Sequence, residues 1–574
     1  MKKCIVMVPA SSSSKHFVPA IYERGYQPII IDPFFEDQES DYRNNFMSDN
    51  SFFDPYEPIY MTNKRDINEL VEELKQYDIE AIIAGSDVGA ELTDKLNTIM
   101  GLRGNSSETT YRRHDKLAQQ ESLKEAGIRY IKSAEISSLE EALVFYKELG
   151  KQSVVVKPVS GGGSEGVHIC NNEDELVRHV NAELNKINVY GTKNITLLIQ
   201  ECIKGREYVV NTVSRDGEHI LTDMWFYEKI KLDGERNIYD YMKLIVDIEP
   251  GHRELVKYTF AVLDAVDYKY GPCHTELMID EDGPVLIEVN PRISGGDMPK
   301  NLGEECLGYT TIGCVLDAYL DEKEFEERGR AFYQPLKYAM YKMLISPKSA
   351  KADEIPAVQL FDVLPSVRKK NFGGVLKNRE ISRTIDVLTS PANAWLVHED
   401  DRVLMRDHKN IHYMESNCFE LLFEENGSVS AKEKEEMDQA LMNIKEVLHM
   451  MPEAIYIVDK EHVSEYPEEI KVFTLEDVTE EKLPEKIQNV IYHAGTRFET
   501  LEELYKKLSV LNKKLVKDGC IMVSPWGASS VPYGERGIEC VLMAMGLKVE
   551  IPKHTSMKLL QKAVIARKNN SNIV

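Results

Sequence analysis

The sequence predicts a multidomain protein of mixed α/β and α+β class, and three observations carry that expectation. The chain has 574 residues, and at roughly 100 to 200 residues per domain it needs about three to five cores. Short apolar runs alternate with amphipathic stretches at both ends of the chain, the pattern of parallel α/β units. Between them stand a glycine-rich loop that follows an apolar strand and a long apolar hairpin.

The elements follow in order. In the first unit, residues 1–110, the runs Cys4 to Val8, Pro28 to Ile31 and Ala81 to Ala84 read as strands, and Phe17 to Arg24 and Ile67 to Lys75 as helices. The loop after the first strand is Ser11 to Ser14, where a dinucleotide site would require GxGxxG, so NAD binding is not assigned. Phe34 to Tyr60, polar and aromatic-rich, reads as a long loop. The second unit, residues 111–330, holds a helix at Lys116 to Ala126 closed by Gly127, a strand from Ser153 to Pro158, two apolar runs joined around Gly205, and a hairpin from His274 to Asn290. Residues 331–420 form an accessory lobe with strand-like pieces at Val387 to Leu388 and Ala394 to His398. Residues 424–574 form an appended α/β module. A helix from Lys432 to His449 precedes strands at Ala454 to Val458, Ile470 to Thr474, Val490 to Tyr492, Ile521 to Ser524 and Val564 to Ala566. Thr500 and Glu503 make a capping-box pair ahead of Leu504, Leu508, Leu511 and Leu515, and Gly519 is placed to end that helix.

Composition narrows the classes of function. An apolar share of 43% with 29% charged residues excludes disordered and collagen-like chains. A net charge of −25 without a long basic run disfavours nucleic acid as partner. The apolar run after Lys2 and Lys3 is too short for a signal-peptide core or a membrane span, and nine scattered cysteines lack any CxxC pair, so a cytoplasmic protein is expected. Charge is uneven in the module. Residues 424–503 carry 21 acidic and 8 basic side chains, and residues 504–574 carry 4 and 12. These are either two halves that attract each other within one folded unit or a docking surface for a partner.

Four segments carry chemistry. The first is HTELMIDEDGPVLIEVNPRISGG, His274 to Gly296. With the turn centred on Asp282, Glu276 faces Glu288 and His274 faces Asn290, and period-two alternation gathers these four on one face with Arg292 next in line. Leu277, Ile279, Val285, Ile287 and Val289 then point to the core. Opposed carboxylates repel and pay desolvation, so something cationic must offset them. Two carboxylates and an amide oxygen suit Mg²⁺; a solvated outer face of an edge hairpin is the other reading. The second is SVVVKPVSGGGSEGV, Ser153 to Val167. Lys157 ends a strand before Gly161, Gly162, Gly163 and Gly166, whose amides could approach phosphate, although the order of Lys and glycines is not that of a P-loop. Alone, this is equally a flexible turn. The third is LLIQECIKGREYVV, Leu197 to Val210, a hinge where backbone groups could meet a planar base and Glu207 could accept ribose hydroxyls; alone it reads as a hairpin with a polar turn. The fourth is Lys116 in RRHDKLAQQ, alone a helix-surface lysine.

Their order resembles the ATP-grasp superfamily across about residues 1–415. The resemblance implies a three-lobe fold with ATP between two α+β subdomains. It implies that Lys116 and Lys157 contact phosphates under a loop from Ser160 through Gly161, Gly162 and Gly163 to Gly166. It further implies that Gln200, Glu201 and Ile203 line the adenine hinge, Glu207 holds the ribose, and Glu276, Glu288 and Asn290 bind one or two Mg²⁺, with Mn²⁺ a possible substitute. The chemistry implied is activation of a carboxylate as an acyl phosphate followed by amine attack, with Arg292 stabilising the transferring phosphoryl group unless it pairs with a structural carboxylate. His-Thr-Glu followed by Ile-Glu-Val-Asn-Pro-Arg-Ile-Ser-Gly-Gly looks most like the L-amino acid ligases, and Thr384 to Ile411 is similar to their small C-terminal lobe. The expected partners are therefore a small carboxylate and an amine, amino acids above all. A carboxylase working through carboxyphosphate and a non-catalytic nucleotide-binding scaffold are the alternatives. The module is faintly similar to the second half of a class I methyltransferase. Its first strand runs into Asp459-Lys460-Glu461 without a glycine-rich loop, so it is expected to be degenerate and to mediate assembly, with a homo-oligomer as the outcome; an active S-adenosylmethionine site is the other reading.

Overall fold

The computed structural model describes residues 2–38, 51–159, 166–187, 192–232, 236–296, 298–331, 333–346, 349–351, 361, 364–372, 380–385, 387, 389–421, 453–458, 460, 463, 471–493, 501–524, 538, 541–550 and 564–568. Residues 160–163, Leu388, the expected helix Lys432 to His449 and the cap residue Thr500 lie outside them. Two compact units are present: Met1–Lys231, Asn237–Tyr341 and Asp386–Leu388 make the first, and Leu232–Arg236, Lys342–Ile385 and Thr389–Val574 the second.

The first unit opens with β1 (Lys3–Val8), α1 (Phe17–Glu23), β2 (Gln27–Asp32), β3 (Ile59–Thr62), α2 (Ile67–Leu74), β4 (Asp78–Ala84) and α3 (Asp87–Met100). The strands form a parallel sheet of order β3-β2-β1-β4. β1 is buried on both faces because successive side chains alternate: Ile5 and Met7 enter one core with Phe17 and Ile21, and Cys4, Val6 and Val8 enter another with Leu70 and Leu74. The expected loop of residues 34–60 contains a 3₁₀ helix at Ser51–Tyr56, whose Phe53 reaches the first of these cores.

Next come α4 (Tyr111–His114), α5 (Lys116–Glu125), β5 (Ser133–Ile136), α6 (Leu139–Glu148), β6 (Val154–Pro158), β7 (His168–Cys170), α7 (Glu173–Glu183) and β8 (Leu197–Glu201). Asp115 caps α5 by accepting from the Ala118 amide, and Gly127 follows the helix at φ +69°, the left-handed conformation expected of a C-terminal glycine. β5, β8, β6 and β7 form an antiparallel sheet backed by α6 and α7. A second sheet takes β9 (Arg206–Arg215), β10 (Glu218–Leu232), β11 (Arg236–Leu244), β12 (Gly271–Asp280), β13 (Gly283–Asn290) and β14 (Tyr338–Met343), in the order β13-β12-β9-β10-β11-β14, antiparallel from β13 to β10. The helices α8 (Pro250–Ala265), α9 (Lys300–Leu307), α10 (Thr311–Leu320) and α11 (Glu322–Arg330) complete the unit.

The two apolar runs around Gly205 are therefore not a hairpin, because β8 and β9 lie in different sheets. A Cβ at Gly205 would stand 2.3 Å from the Ile279 carbonyl, so the hinge needs glycine to pass over β12.

In the second unit β15 (Ala350–Lys351) pairs with β17 (Glu380–Ile381), and β16 (Val367–Asn371) with β18 (Asn393–His398), ahead of α12 (Asp401–Leu421). Val387 lies in a bend and not in the strand expected there. The module contributes β19 (Ala454–Val458), β20 (Val472–Thr474), β21 (Ile487–His493), α13 (Leu501–Lys514), β22 (Leu515–Ser524), β23 (Lys548–Glu550) and β24 (Val564–Arg567). Its sheet has the order β20-β19-β21-β22-β24-β23, parallel up to β22, with β24 antiparallel to both neighbours. Leu504, Leu508 and Leu511 bury the apolar stripe of α13. Gly519 does not end this helix: α13 stops at Lys514, and Gly519 sits in an irregular stretch of β22, where a Cβ would lie 2.8 Å from the Gln488 carbonyl.

Candidate active site

The hairpin β12–β13 has the expected register where it matters, with His274 opposite Asn290 and Glu276 opposite Glu288. It reaches that register by another route. The turn is the two-residue Glu281-Asp282, followed by Gly283 at φ +100°, and a bulge beside Glu276 restores the pairing. The bulge changes the inner face: Leu286 opposes Leu277 and joins Val289 and Cys273 in the core, whereas Ile287, expected there, is half-buried.

β13 is the edge of its sheet, and α5 covers that edge. The Gln119 side-chain amide donates to the Val289 carbonyl and accepts from the Val289 amide, both at 2.9 Å, while Gln120 donates to the Leu286 carbonyl at 3.0 Å. One turn earlier on the same helix, Lys116 is thereby brought within 2.7 Å of Glu288. Sequence reading placed Lys116 on a helix surface when taken alone; here only 8% of it is exposed. Burial works against its charge, but Glu288, Asp87 and Glu276 outweigh burial and raise its pKa.

Lys157, at the end of β6, is equally buried and has no ion-pair partner among the described residues. Desolvation and the neighbouring Lys116 push it down to about 8, against the opposite pull of Glu288, Glu276 and Glu207. An ammonium held in this state is stabilised by any anion that reaches it. Gly166 has φ +66°, and a Cβ there would crowd the Glu183 carboxylate at 2.9 Å and the Pro158 ring at 3.0 Å.

Glu276 has His274 Nε2 at 3.4 Å, and His274 Nδ1 lies 2.8 Å from Asn211 Oδ1. Burial opposes ionisation of Glu276, yet His274, Lys229 and Arg292 hold it below the ordinary carboxylate range. Asn290 is buried, and its side-chain nitrogen has no hydrogen-bond partner. Arg292 Nε donates to Asp87 Oδ2 at 2.7 Å, so it does pair with a carboxylate; burial works against its charge, but Asp87, Glu276 and Glu288 outweigh burial and raise its pKa.

The hinge residues are placed as follows. Gln200 is buried and donates to Ser133 Oγ at 2.7 Å; the Glu201 carboxylate accepts from the Lys132 amide at 3.0 Å; Ile203 is half-buried between β8 and β9. Glu207 is taken up by Lys229 at 2.6 Å and Tyr239 OH at 3.3 Å, and burial, with Glu276 adding to it, raises its pKa.

Three participants were not found by sequence reading. Lys229 lies over the Tyr239 ring at 4.1 Å and couples Glu207 to Glu276. Tyr227 is half-buried and within electrostatic reach of Glu276, and Asp87 pairs with Arg292. The alternation in Tyr227-Glu228-Lys229 was available as a signal of a shared face, but nothing in sequence spacing connects Asp87 to Arg292.

Glu276, Glu288 and Asn290 form a hard-oxygen donor set on one face, and the Asn290 amide, without a partner for its nitrogen, is open to presenting its oxygen to a cation. The residues present fit Mg²⁺.

Comparison with known proteins agrees with this geometry. Residues 151–300 match the ATP-grasp domain family. Dapdiamide A synthase of Enterobacter agglomerans is 28% identical over 425 residues, covering 73% of this chain and 97% of that protein. Two solved structures share the fold. The L-amino acid ligase of Bacillus licheniformis has a TM-score of 0.53 and 16% identity over 72% of this chain and 97% of that one. Phosphoribosylglycinamide synthetase of Anaerococcus prevotii has a TM-score of 0.52 and 15% identity over 72% and 98%. Residues 151–300 thus carry the ATP-grasp match, and about 72% of the chain shares the fold of these two structures.

Proposed function

We propose that the protein is an ATP-dependent carboxylate–amine ligase that forms an amide bond between amino acids, releasing ADP and phosphate. The observation that carries this reading is the convergence of Lys116, Lys157, Glu276, Glu288, Asn290 and Arg292 around one hairpin face, two carboxylates opposed and cations beside them. A relative named for dapdiamide synthesis, matched over nearly its whole length, supports the amide-forming direction.

In this reading Lys116 and Lys157 hold the phosphates of ATP under the 160–166 loop, Gln200, Glu201 and Ile203 border the base, and Glu207 holds the ribose after leaving Lys229. Glu276, Glu288 and Asn290 hold one or two Mg²⁺, or Mn²⁺ in its place, which when bound neutralises charge on the phosphate oxygens. A substrate carboxylate oxygen attacks the γ-phosphorus and ADP departs. The neutral amine then attacks the acyl carbon, phosphate leaves with the C–O bond electrons, and the nitrogen gives up one proton; an amine that arrives as ammonium gives up one more to solvent before it attacks. Arg292 stabilises the charge on the transferring phosphoryl group, so no side-chain nucleophile is needed. We assign the module an assembly role in a cytoplasmic homo-oligomer.

The test is phosphate release screened over pairs of amino acids, with mass analysis of the product. Release that depends on amino acids and yields a dipeptide mass is expected. Release that depends on bicarbonate would make the protein a carboxylase, and ATP binding without turnover would make it a scaffold.

A further inference from the structure

The N-terminal sheet has a feature that the nucleotide site does not use. Its order β3-β2-β1-β4 reverses at β1: the chain runs outward through β2 and β3, then crosses back to place β4 on the other side. In open parallel sheets the crevice outside the carboxyl ends of the two strands flanking such a reversal is where ligands bind. Here that crevice lies between the Ser11–Ser14 turn after β1 and the Gly85-Ser86-Asp87 turn that opens α3. The two turns are pressed together: a Cβ at Gly85 would stand 1.8 Å from the Pro9 carbonyl and 2.8 Å from Ser14 Oγ.

Asp87, the first residue of α3, is one-third exposed. Arg292 engages its Oδ2 at 2.7 Å, and among the described residues its other oxygen accepts no hydrogen bond. Ser86 is the N-cap of α3, yet its hydroxyl makes no capping bond; the side chain is more than nine-tenths buried and its Oγ has no partner. The Nε2 atom of His114 is likewise buried without a partner. Burial pushes the His114 pKa down, with Asp87, Asp94 and Glu91 pulling against it, so at neutral pH the ring is an uncharged imidazole within electrostatic reach of Asp87. A carboxylate oxygen and a hydroxyl oxygen are thus left unengaged at the head of α3, with the His114 imidazole within electrostatic reach of the first. Both oxygens can accept, and a primary ammonium has three donors. The full charge of Asp87 exceeds the roughly half charge of the helix terminus that opposes a cation.

We infer that this crevice binds the amino group of the acceptor amino acid, with Asp87 as its anchor. The inference rests on the ligase reading and deepens it. Arg292 joins the two sites: one end of its guanidinium holds Asp87, and Arg292 itself follows Asn290 by two residues at the end of β13, so an amine on Asp87 waits beside the face where the carboxylate is activated.

The test compares the full-length protein with Asp87→Asn, which keeps an acceptor for Arg292 and removes the charge. Calorimetric titration with a panel of the twenty L-amino acids, and with glycolate and lactate as analogues without the amine, reads binding without requiring turnover. Amino acids that bind the wild type and lose tenfold or more in affinity for Asp87→Asn, with glycolate and lactate indifferent to the change, are expected. Equal affinity for both proteins, or no amino acid binding to the wild type, overturns the inference. In steady state, Asp87→Asn raises KM for the amine substrate tenfold or more and KM for ATP by less than twofold, and Ser86→Ala gives a smaller rise in the same KM. A loss confined to kcat, or shared equally by ATP, would reduce Asp87 to a support for Arg292. Absence of turnover in the wild type with every amino-acid pair removes the ligase reading and leaves the binding result standing by itself.

Discussion

The hairpin sheet of the first unit and the six-stranded sheet of the module are built from similar apolar strands, yet they treat charge in opposite ways. Across β12 and β13, charged groups are drawn inward: Lys116 meets Glu288, His274 meets Glu276, Lys229 meets Glu207 and Arg292 meets Asp87, and none of these eight side chains is more than about one-third exposed. In the module, β19 buries Ala454, Ile455, Tyr456, Ile457 and Val458, and β21 buries Val490, Ile491 and Tyr492. Among the described residues its ion pairs, Lys482 with Asp477, Lys506 with Glu502 and Lys513 with Glu480, stand in solvent. Buried charges cost desolvation that their mutual attraction only partly returns, so a fold that keeps several of them together gives up stability for something else. A third arrangement sharpens the contrast. Lys342 and Glu415 are also buried, but Lys342 donates to Glu415 and to the Met343 carbonyl, while Glu415 accepts from the Ile345 amide as well. Those bonds, with His412 Nδ1 3.3 Å from the same carboxylate, satisfy that pair. The hairpin face is left open at Lys157, at the Asn290 nitrogen and at one oxygen of Asp87.

The contrast breaks first at Glu288. Glu288→Ala removes half of the opposed pair and the partner of Lys116, and turnover should fall by about a thousandfold or more, the scale on which charge-stabilising groups act. The circular dichroism spectrum should stay that of the wild type, because Glu288 is no part of the apolar core. A phosphate-release assay returning a near-normal rate would take Glu288 out of the site.

The converse change belongs in the module. Leu508 is fully buried on α13, and Leu508→Ala should cost about 2 to 5 kcal/mol from lost transfer energy and the cavity left behind. Denaturant unfolding should show an early transition for the module, while ATP turnover under native conditions stays near the wild-type rate. Parallel losses of both would mean that the site depends on the module.

How much of this was legible beforehand varied with the distance over which the physics acts. The hairpin face could be read because a strand has a period of two, so His274, Glu276, Glu288 and Asn290 needed only a turn between them. Even there a compensating bulge exchanged Ile287 for Leu286 in the core, since periodicity cannot report a bulge. The runs around Gly205, which taken alone read as a hairpin, join different sheets and leave the hinge reading, because adjacency in sequence does not say which sheet a strand joins. Gly519 resembled a helix stop, but the nearby Gln488 carbonyl, which demands glycine there, comes from another strand. Asp87 and Arg292 are 205 residues apart, and only the folded chain brings them to 2.7 Å.

Lys157 gives the finest discrimination, because two pH effects should run in opposite directions. Its pKa is about 8 in the folded protein against 10.5 in an ordinary lysine. Between those values the unfolded chain binds more protons than the folded one, so the contribution of this group to stability rises as pH increases from about 8 to 10.5. Phosphate, in contrast, binds the ammonium form. Its approach favours protonation, so ATP affinity should fall as pH rises above about 8, by up to roughly tenfold per unit. Lys116 does not blur the window, since its pKa is raised above the ordinary value and its own loss begins at higher pH. The measurement is the thermal midpoint of the nucleotide-free protein and the affinity for ATP, each followed from pH 7 to 10 in the wild type and in Lys157→Met. Lysines and tyrosines remote from the site contribute equally to both proteins, and losing the Lys157 charge moves Lys116 only further up, away from the window, so the difference between them reports the residue. Subtracting the variant should leave a stability term that climbs and an affinity term that declines across the same interval. A stability difference that is flat with pH would mean that Lys157 keeps an ordinary pKa and that its burial is relieved by water.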